Sequence, residues 1–147
     1  MEDLTDKLNN FLEENSFKEL VNSDILNLIN IDIVPEDIKR NYVATGYDKK
    51  LLFKNNLYDI YLFIWSQNCD TKIHDHSENG CIMKVLDGEL LTTIYNKNLE
   101  KMNDKIISNN EVSFISNDIG YHKVKNTSFY SVSIHIYSPP NHNTQYF

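Results

Sequence analysis

The apolar and polar positions divide this chain into a helical first third and a strand-rich remainder. Leu4, Leu8, Phe11 and Leu12 recur at helical spacing, which predicts an amphipathic helix over roughly the first fifteen residues. Ser16-Phe17-Lys18-Glu19 has capping-box form and predicts a second short helix. Ser23 or Asp24 is placed to cap a third, with Ile25, Leu26, Leu28 and Ile29 as its apolar side. Pro35-Glu36-Asp37 fits the first turn of a fourth running toward Tyr42. From there the pattern shifts to β-branched and aromatic runs. Strands are expected at 50–53, 58–65, 72–76, 81–86, 90–95, 105–108, 111–115 and 129–137. Asp87-Gly88 and Asn109-Asn110 look like hairpin turns joining the strands on either side of them. Together these features predict an α+β, mainly β chain: a helical cap over 1–43 and an antiparallel β-barrel over 44–147, in one domain.

Composition narrows the classes of function. At 147 residues and 41% hydrophobic, the chain is long enough for one real core. A net charge of -7 argues against nucleic acid or an anionic membrane as partner, and no apolar run is long enough to span a bilayer. Met1-Glu2-Asp3-Leu4 lacks the basic and apolar regions of a secretory signal. Cys69 and Cys81 are the only cysteines, which fits a reducing, cytoplasmic setting better than a disulfide scaffold. A monomer or weak homo-oligomer is expected.

The chemistry concentrates on His74 and His76. Side chains two apart on a strand share a face, so these imidazoles converge while Asp75 points away. Two imidazoles are half of a metal site, and His122, just after the turn at Gly120, is the candidate third ligand. Parity along the last strand puts Ser133, His135 and Tyr137 on one face and Val132, Ile134 and Ile136 on the other, which belongs to a sheet-to-sheet core. A hydroxyl, an imidazole and a phenol in a row form a relay that can orient the phenol and move a proton. The simpler alternative is the solvent-facing side of an amphipathic strand.

His74-x-His76, followed by Cys81 and Gly88, resembles the first cupin motif with cysteine in the usual glutamate position, and His122-x-x-x-Asn126 resembles the second. Cys81 together with Ser133-Ile134-His135-Ile136-Tyr137-Ser138-Pro139-Pro140 is similar to the pattern of thiol dioxygenases, above all the cysteine dioxygenase family. Trp65 falls where that family carries tryptophan, and the resemblance covers roughly 47 to 140. It implies a cupin-type jelly roll holding Fe(II) on His74, His76 and His122. It implies a thioether crosslink between Cys81 and Tyr137, with Ser133 and His135 behind the phenol. It also implies oxidation of L-cysteine to cysteine sulfinate with O2. Three neutral ligands leave the metal its full charge, which favours deprotonation of a coordinating thiol.

Two departures stand out. Where the family reads the substrate carboxylate with the arginine of a Tyr-x-Arg segment, this chain has Tyr47-Asp48-Lys49, and lysine keeps the charge but loses the bidentate fork. Lys50 and Arg40 are weaker candidates for that role. The chain also ends seven residues after Pro140, which leaves one side of the pocket less covered unless the helical cap or a second subunit closes it. The competing functions are a dioxygenase for another small thiol such as 3-mercaptopropionate, a non-catalytic metal-binding cupin module, and a hydrolytic zinc site with Glu78 as its base.

Overall fold

The computed structural model describes residues 1–36 and 45–147; most of the expected fourth helix, and Arg40, lie outside the described residues. The chain opens on α1 (Glu2–Leu12), whose Leu4 and Leu8 are buried as the spacing predicts. The next segment is wound more tightly than expected, into three short 3₁₀ helices at Phe17–Asn22, Asp24–Leu28 and Ile31–Ile33. Ser16 makes no side-chain cap, so the capping box does not form. The Ser23 hydroxyl donates back to the Leu20 carbonyl at 2.8 Å, so it serves the end of the preceding turn and not the start of the next.

Eight strands complete the chain: β1 (Tyr47–Lys54), β2 (Asp59–Trp65), β3 (Gly80–Asp87), β4 (Glu89–Tyr95), β5 (Lys101–Ser108), β6 (Val112–Ile115), β7 (Tyr121–Asn126) and β8 (Ser131–Ser138). They form a five-stranded sheet in the order β1-β2-β8-β3-β6 and a three-stranded sheet in the order β5-β4-β7, with every pairing antiparallel. The expected strand at 72–76 is not regular. It meets β7 only through the bridge between His74 and His122, with a second bridge at Asp70 and Lys125.

Both expected hairpins are corrected. β3 and β4 lie in different sheets, as do β5 and β6, so Asp87-Gly88 and Asn109-Asn110 are corners where the chain crosses between sheets. Gly88 serves its corner sterically: it sits at φ 88°, and a Cβ there would lie 2.6 Å from the Tyr130 carbonyl oxygen.

The two faces of the larger sheet are buried in different ways. Ile60, Leu62 and Ile64 of β2 and Val132, Ile134 and Ile136 of β8 pack outward against Leu8, Leu20, Leu26 and Ile29 of the helical segment. Each such side chain, fully buried, contributes about 1.5–3 kcal/mol. The apolar face of β8 therefore meets helices, not the opposing sheet as its alternation had implied. The space between the sheets is filled by Phe63, Trp65, Met83, Val85, Leu90, Ile107 and Val124, and it opens at one end into the site.

Candidate metal centre

β7 fixes two of the three histidines by backbone pairing. The His74 N–H donates to the His122 carbonyl at 2.9 Å and the His122 N–H to the His74 carbonyl at 3.2 Å. Residues that exchange both bonds stand directly opposite, so their side chains leave from the same face. Gly120, at φ 150°, lets the chain turn into β7 against the Tyr95 backbone. His76 has no strand partner. The Asn117 side chain takes that place: its Oδ1 accepts from the His76 N–H at 2.9 Å and its amide donates to the His76 carbonyl at 3.1 Å.

One donor atom from each of His74, His76 and His122 lies within 4.8 Å of the others. The His74 Nδ1–H donates to the Lys72 carbonyl at 2.8 Å, which leaves Nε2 as the lone-pair atom facing the others. Burial, together with the neighbouring imidazoles, lowers the His76 pKa to about 3 and pushes His122 well below its usual value; His74 is lowered mainly by burial. All three rings are therefore neutral at pH 7, the form that binds metals. Both ring nitrogens of His76 are buried without a hydrogen-bond partner in the protein. A polar pair left that way costs free energy, and a coordinated cation would offset it. The residues present fit a divalent metal on three imidazoles.

Behind this cluster lies the relay. The Trp65 indole N–H donates to Ser133 Oγ at 2.9 Å, Ser133 Oγ lies 2.8 Å from His135 Nε2, and His135 Nδ1 lies 3.4 Å from the Tyr137 hydroxyl. Trp65 N–H takes one lone pair of Ser133; with the Ser133 proton on His135 Nε2, Nδ1–H points to the phenol oxygen. Ser133 and His135 are 0% and 5% exposed, so this face does not look out to solvent. Burial, with Lys49 nearby, keeps His135 neutral. Cys81 pairs directly with Tyr137 across β3 and β8, and both side chains line the same cavity. Burial raises both the Cys81 thiol and the Tyr137 phenol well above their ordinary values.

Lys49, exposed at the rim, holds its ammonium 4.3 Å from the centre of the Tyr61 ring and 5.5 Å from that of Tyr137. Tyr47 packs against Phe63 and Trp65 beside it. Trp65 is fully buried and presents its N–H to Ser133, under the cavity and away from the rim. Lys50 faces away and pairs with Asp48 at 3.2 Å. Glu78 is exposed on an outer groove with Ser16 and Phe17 and does not line the cavity of the three imidazoles.

The side expected to lie open is covered by the chain itself. Asp75, pointing away from the histidine cluster, accepts from His142 Nε2 at 2.9 Å and from the Gln145 N–H at 2.8 Å. Phe147 N–H donates to the Ile73 carbonyl at 2.9 Å, and Thr144 and Tyr146 line the cavity beside His74, Lys49 and Tyr137.

With this geometry in place, the comparisons with known proteins become specific. The family model of cysteine dioxygenase type I matches residues 18–147. The chain belongs to this family. Cysteine dioxygenase type 1 of Bos taurus is 31% identical over 94 residues, an alignment covering 58% of this chain and 47% of the bovine protein. The human enzyme is 30% identical over the same length. The chain thus spans about half the length of the curated relatives it matches. Among solved structures, a double-stranded β-helix protein from Klebsiella pneumoniae superposes with TM-score 0.63 at 12% identity, over 79% of this chain and 91% of that one. A cupin superfamily protein from Desulfitobacterium hafniense gives 0.56 at 12% identity, over 71% and 88%. These likenesses support the jelly-roll fold of this cysteine dioxygenase family member and nothing finer. Among the described residues, no helix is long and apolar enough to cross a membrane.

Proposed function

We propose that this protein is an Fe(II)-dependent thiol dioxygenase that oxidises L-cysteine to cysteine sulfinate with O2. The observation that carries the proposal is one shared cavity lined by His74, His76, His122, Cys81, His135 and Tyr137. A binding module would need only the three imidazoles. Bound iron would supply O2 activation and an acidic site for the substrate thiol. Lys49 offers a positive charge for the substrate carboxylate at the rim. The Tyr137 hydroxyl, held by His135 Nδ1–H, donates a hydrogen bond into the cavity, and Ser133 and Trp65 keep that imidazole neutral and oriented.

A thioether between Cys81 Sγ and the Tyr137 ring is part of the proposal. Forming it breaks the S–H bond and one ring C–H bond; the two protons and two electrons go to O2. The test is to load the protein anaerobically with Fe(II) and follow oxygen uptake with L-cysteine, detecting sulfinate by mass spectrometry. Iron-dependent uptake giving cysteine sulfinate is expected, along with a loss of two hydrogens from the intact mass that is absent in Cys81→Ala. If iron binds and no uptake occurs with L-cysteine, 3-mercaptopropionate or cysteamine, the dioxygenase assignment falls.

A further inference from the structure

The register of β1, β2 and β8 gathers three rings around one cation. Lys49 stands directly opposite Phe63; Tyr61 lies two residues back along β2, opposite His135; Tyr137 follows His135 by two on β8. Residues directly opposed on antiparallel strands share a face, and so do residues two apart. Lys49, Tyr61, Phe63 and Tyr137 therefore leave the sheet together, on the side where Phe63 and Tyr137 line the histidine cavity. The Lys49 ammonium lies 4.3 Å from the centre of the Tyr61 ring, 5.5 Å from that of Tyr137 and 5.8 Å from that of Phe63. Tyr61 and Tyr137 meet edge-on, with centres 5.9 Å apart and planes at 78°. The negative faces of such rings attract an ammonium within about 6 Å.

Tyr61 is the nearest of the three rings and is half-buried. It stands outside the imidazole cavity and outside the relay from Trp65 to Tyr137, so its contact with Lys49 can be altered while those stay in place. A lysine is a point charge on a flexible stem, without the planar fork that aims an arginine. Fixing such a stem before a ligand arrives removes part of the cost of binding. The rings do this for Lys49 at a useful place: one cavity that it lines runs to His74 past Tyr137, and another, which it shares with Tyr61, is bounded by Asp59.

We infer that Tyr61 is a positioning residue that acts through Lys49: its ring holds the ammonium aimed at the carboxylate of a thiol acid and so supplies the direction that a lysine lacks. This rests on the thiol dioxygenase assignment and on Lys49 as the carboxylate partner. The first test needs neither metal nor turnover. Protons over a ring face are shielded, so in the metal-free protein with isotope-labelled lysine the Lys49 ε-CH2 proton signal, identified by its loss in Lys49→Met, is expected upfield of the other lysines. It should return toward them in Tyr61→Leu. A Lys49 signal lying among the other lysines in the unaltered protein overturns the inference. The second test is an anaerobic calorimetric titration of the Fe(II)-loaded protein with L-cysteine and with cysteamine, which lacks the carboxylate. Tyr61→Leu is expected to weaken L-cysteine about fivefold and to leave cysteamine within about twofold, with iron content unchanged. Tyr61→Phe keeps the ring and should hold L-cysteine within about twofold of the unaltered protein. Tyr61→Met also removes the ring and carries the same test should the leucine variant fail to fold. Unchanged L-cysteine affinity in Tyr61→Leu, equal weakening of both thiols, or equal weakening by Tyr61→Phe would each overturn the inference. If the Lys49 signal is shielded and the unaltered protein binds neither thiol, the dioxygenase assignment itself is what fails.

Discussion

The two faces of β8 are equally buried and have opposite chemistry. Ile134 and His135 are neighbours in sequence, at 1% and 5% exposure, yet one packs on helices and the other faces the histidine cluster. Outside, Val132, Ile134 and Ile136 need only matching apolar volume from the helical segment. The buried cation on that side is Lys84, whose Nζ donates to the Leu26 carbonyl at 2.9 Å. Inside, Ser133, His135 and Tyr137 are tolerable only because their polar atoms have aimed partners, in a chain from Trp65 to the Tyr137 hydroxyl. Burial therefore says little about which face works; the partner of each polar atom says it. One face is replaceable by volume, the other only by geometry.

Ile134→Ala sharpens this contrast most. It should cost about 2–5 kcal/mol, read from the urea midpoint, while iron content stays at the level of the unaltered chain. A loss of iron would show that the faces are coupled. Ser133→Ala should cost less, about 1–3 kcal/mol, because it strands the buried Trp65 N–H. It should also lower sulfinate formation by about tenfold or more, since His135 loses the partner that orients it. Full turnover in that variant would break the relay. The contrast also has a pH dependence. His135 and His76 are held neutral in the fold, below an unfolded value near 6.5, so the unfolded chain takes up their protons first as pH falls. The metal-free protein should lose about 1.4 kcal/mol per pH unit for each such histidine as pH drops below about 6.5. A flat urea midpoint between pH 7 and 5 would contradict it.

Legibility in the sequence divides along the same line. The relay on β8 was legible because parity assigns faces with no knowledge of neighbours; the same parity paired His74 with His76 although 72–76 is not a regular strand, and Cys81 entered only through the family pattern. β7 was missed as a strand although it alternates well: its buried positions are His122, Val124 and Asn126, and two polar residues out of three erase the hydrophobic period. The corners at Gly88 and Asn109-Asn110 were recognised as turns but given the wrong partners, since turn chemistry reports a reversal and not the sheet in which the next strand lands. Asn117 gave no signal, because a side-chain amide standing in for a strand is a long-range event.

β8 is the last strand along the chain and the middle strand of its sheet, set between β2 and β3. Until it inserts, β1-β2 and β3-β6 are two separate ribbons with unpaired edges, and the register of Asp59 with Tyr137 must be found across the whole barrel. Such distant pairings make folding slow and leave sticky intermediates. They also act as a safeguard: the phenol reaches the cysteine only when the sheet closes, so a half-folded chain cannot bring Cys81 and Tyr137 together.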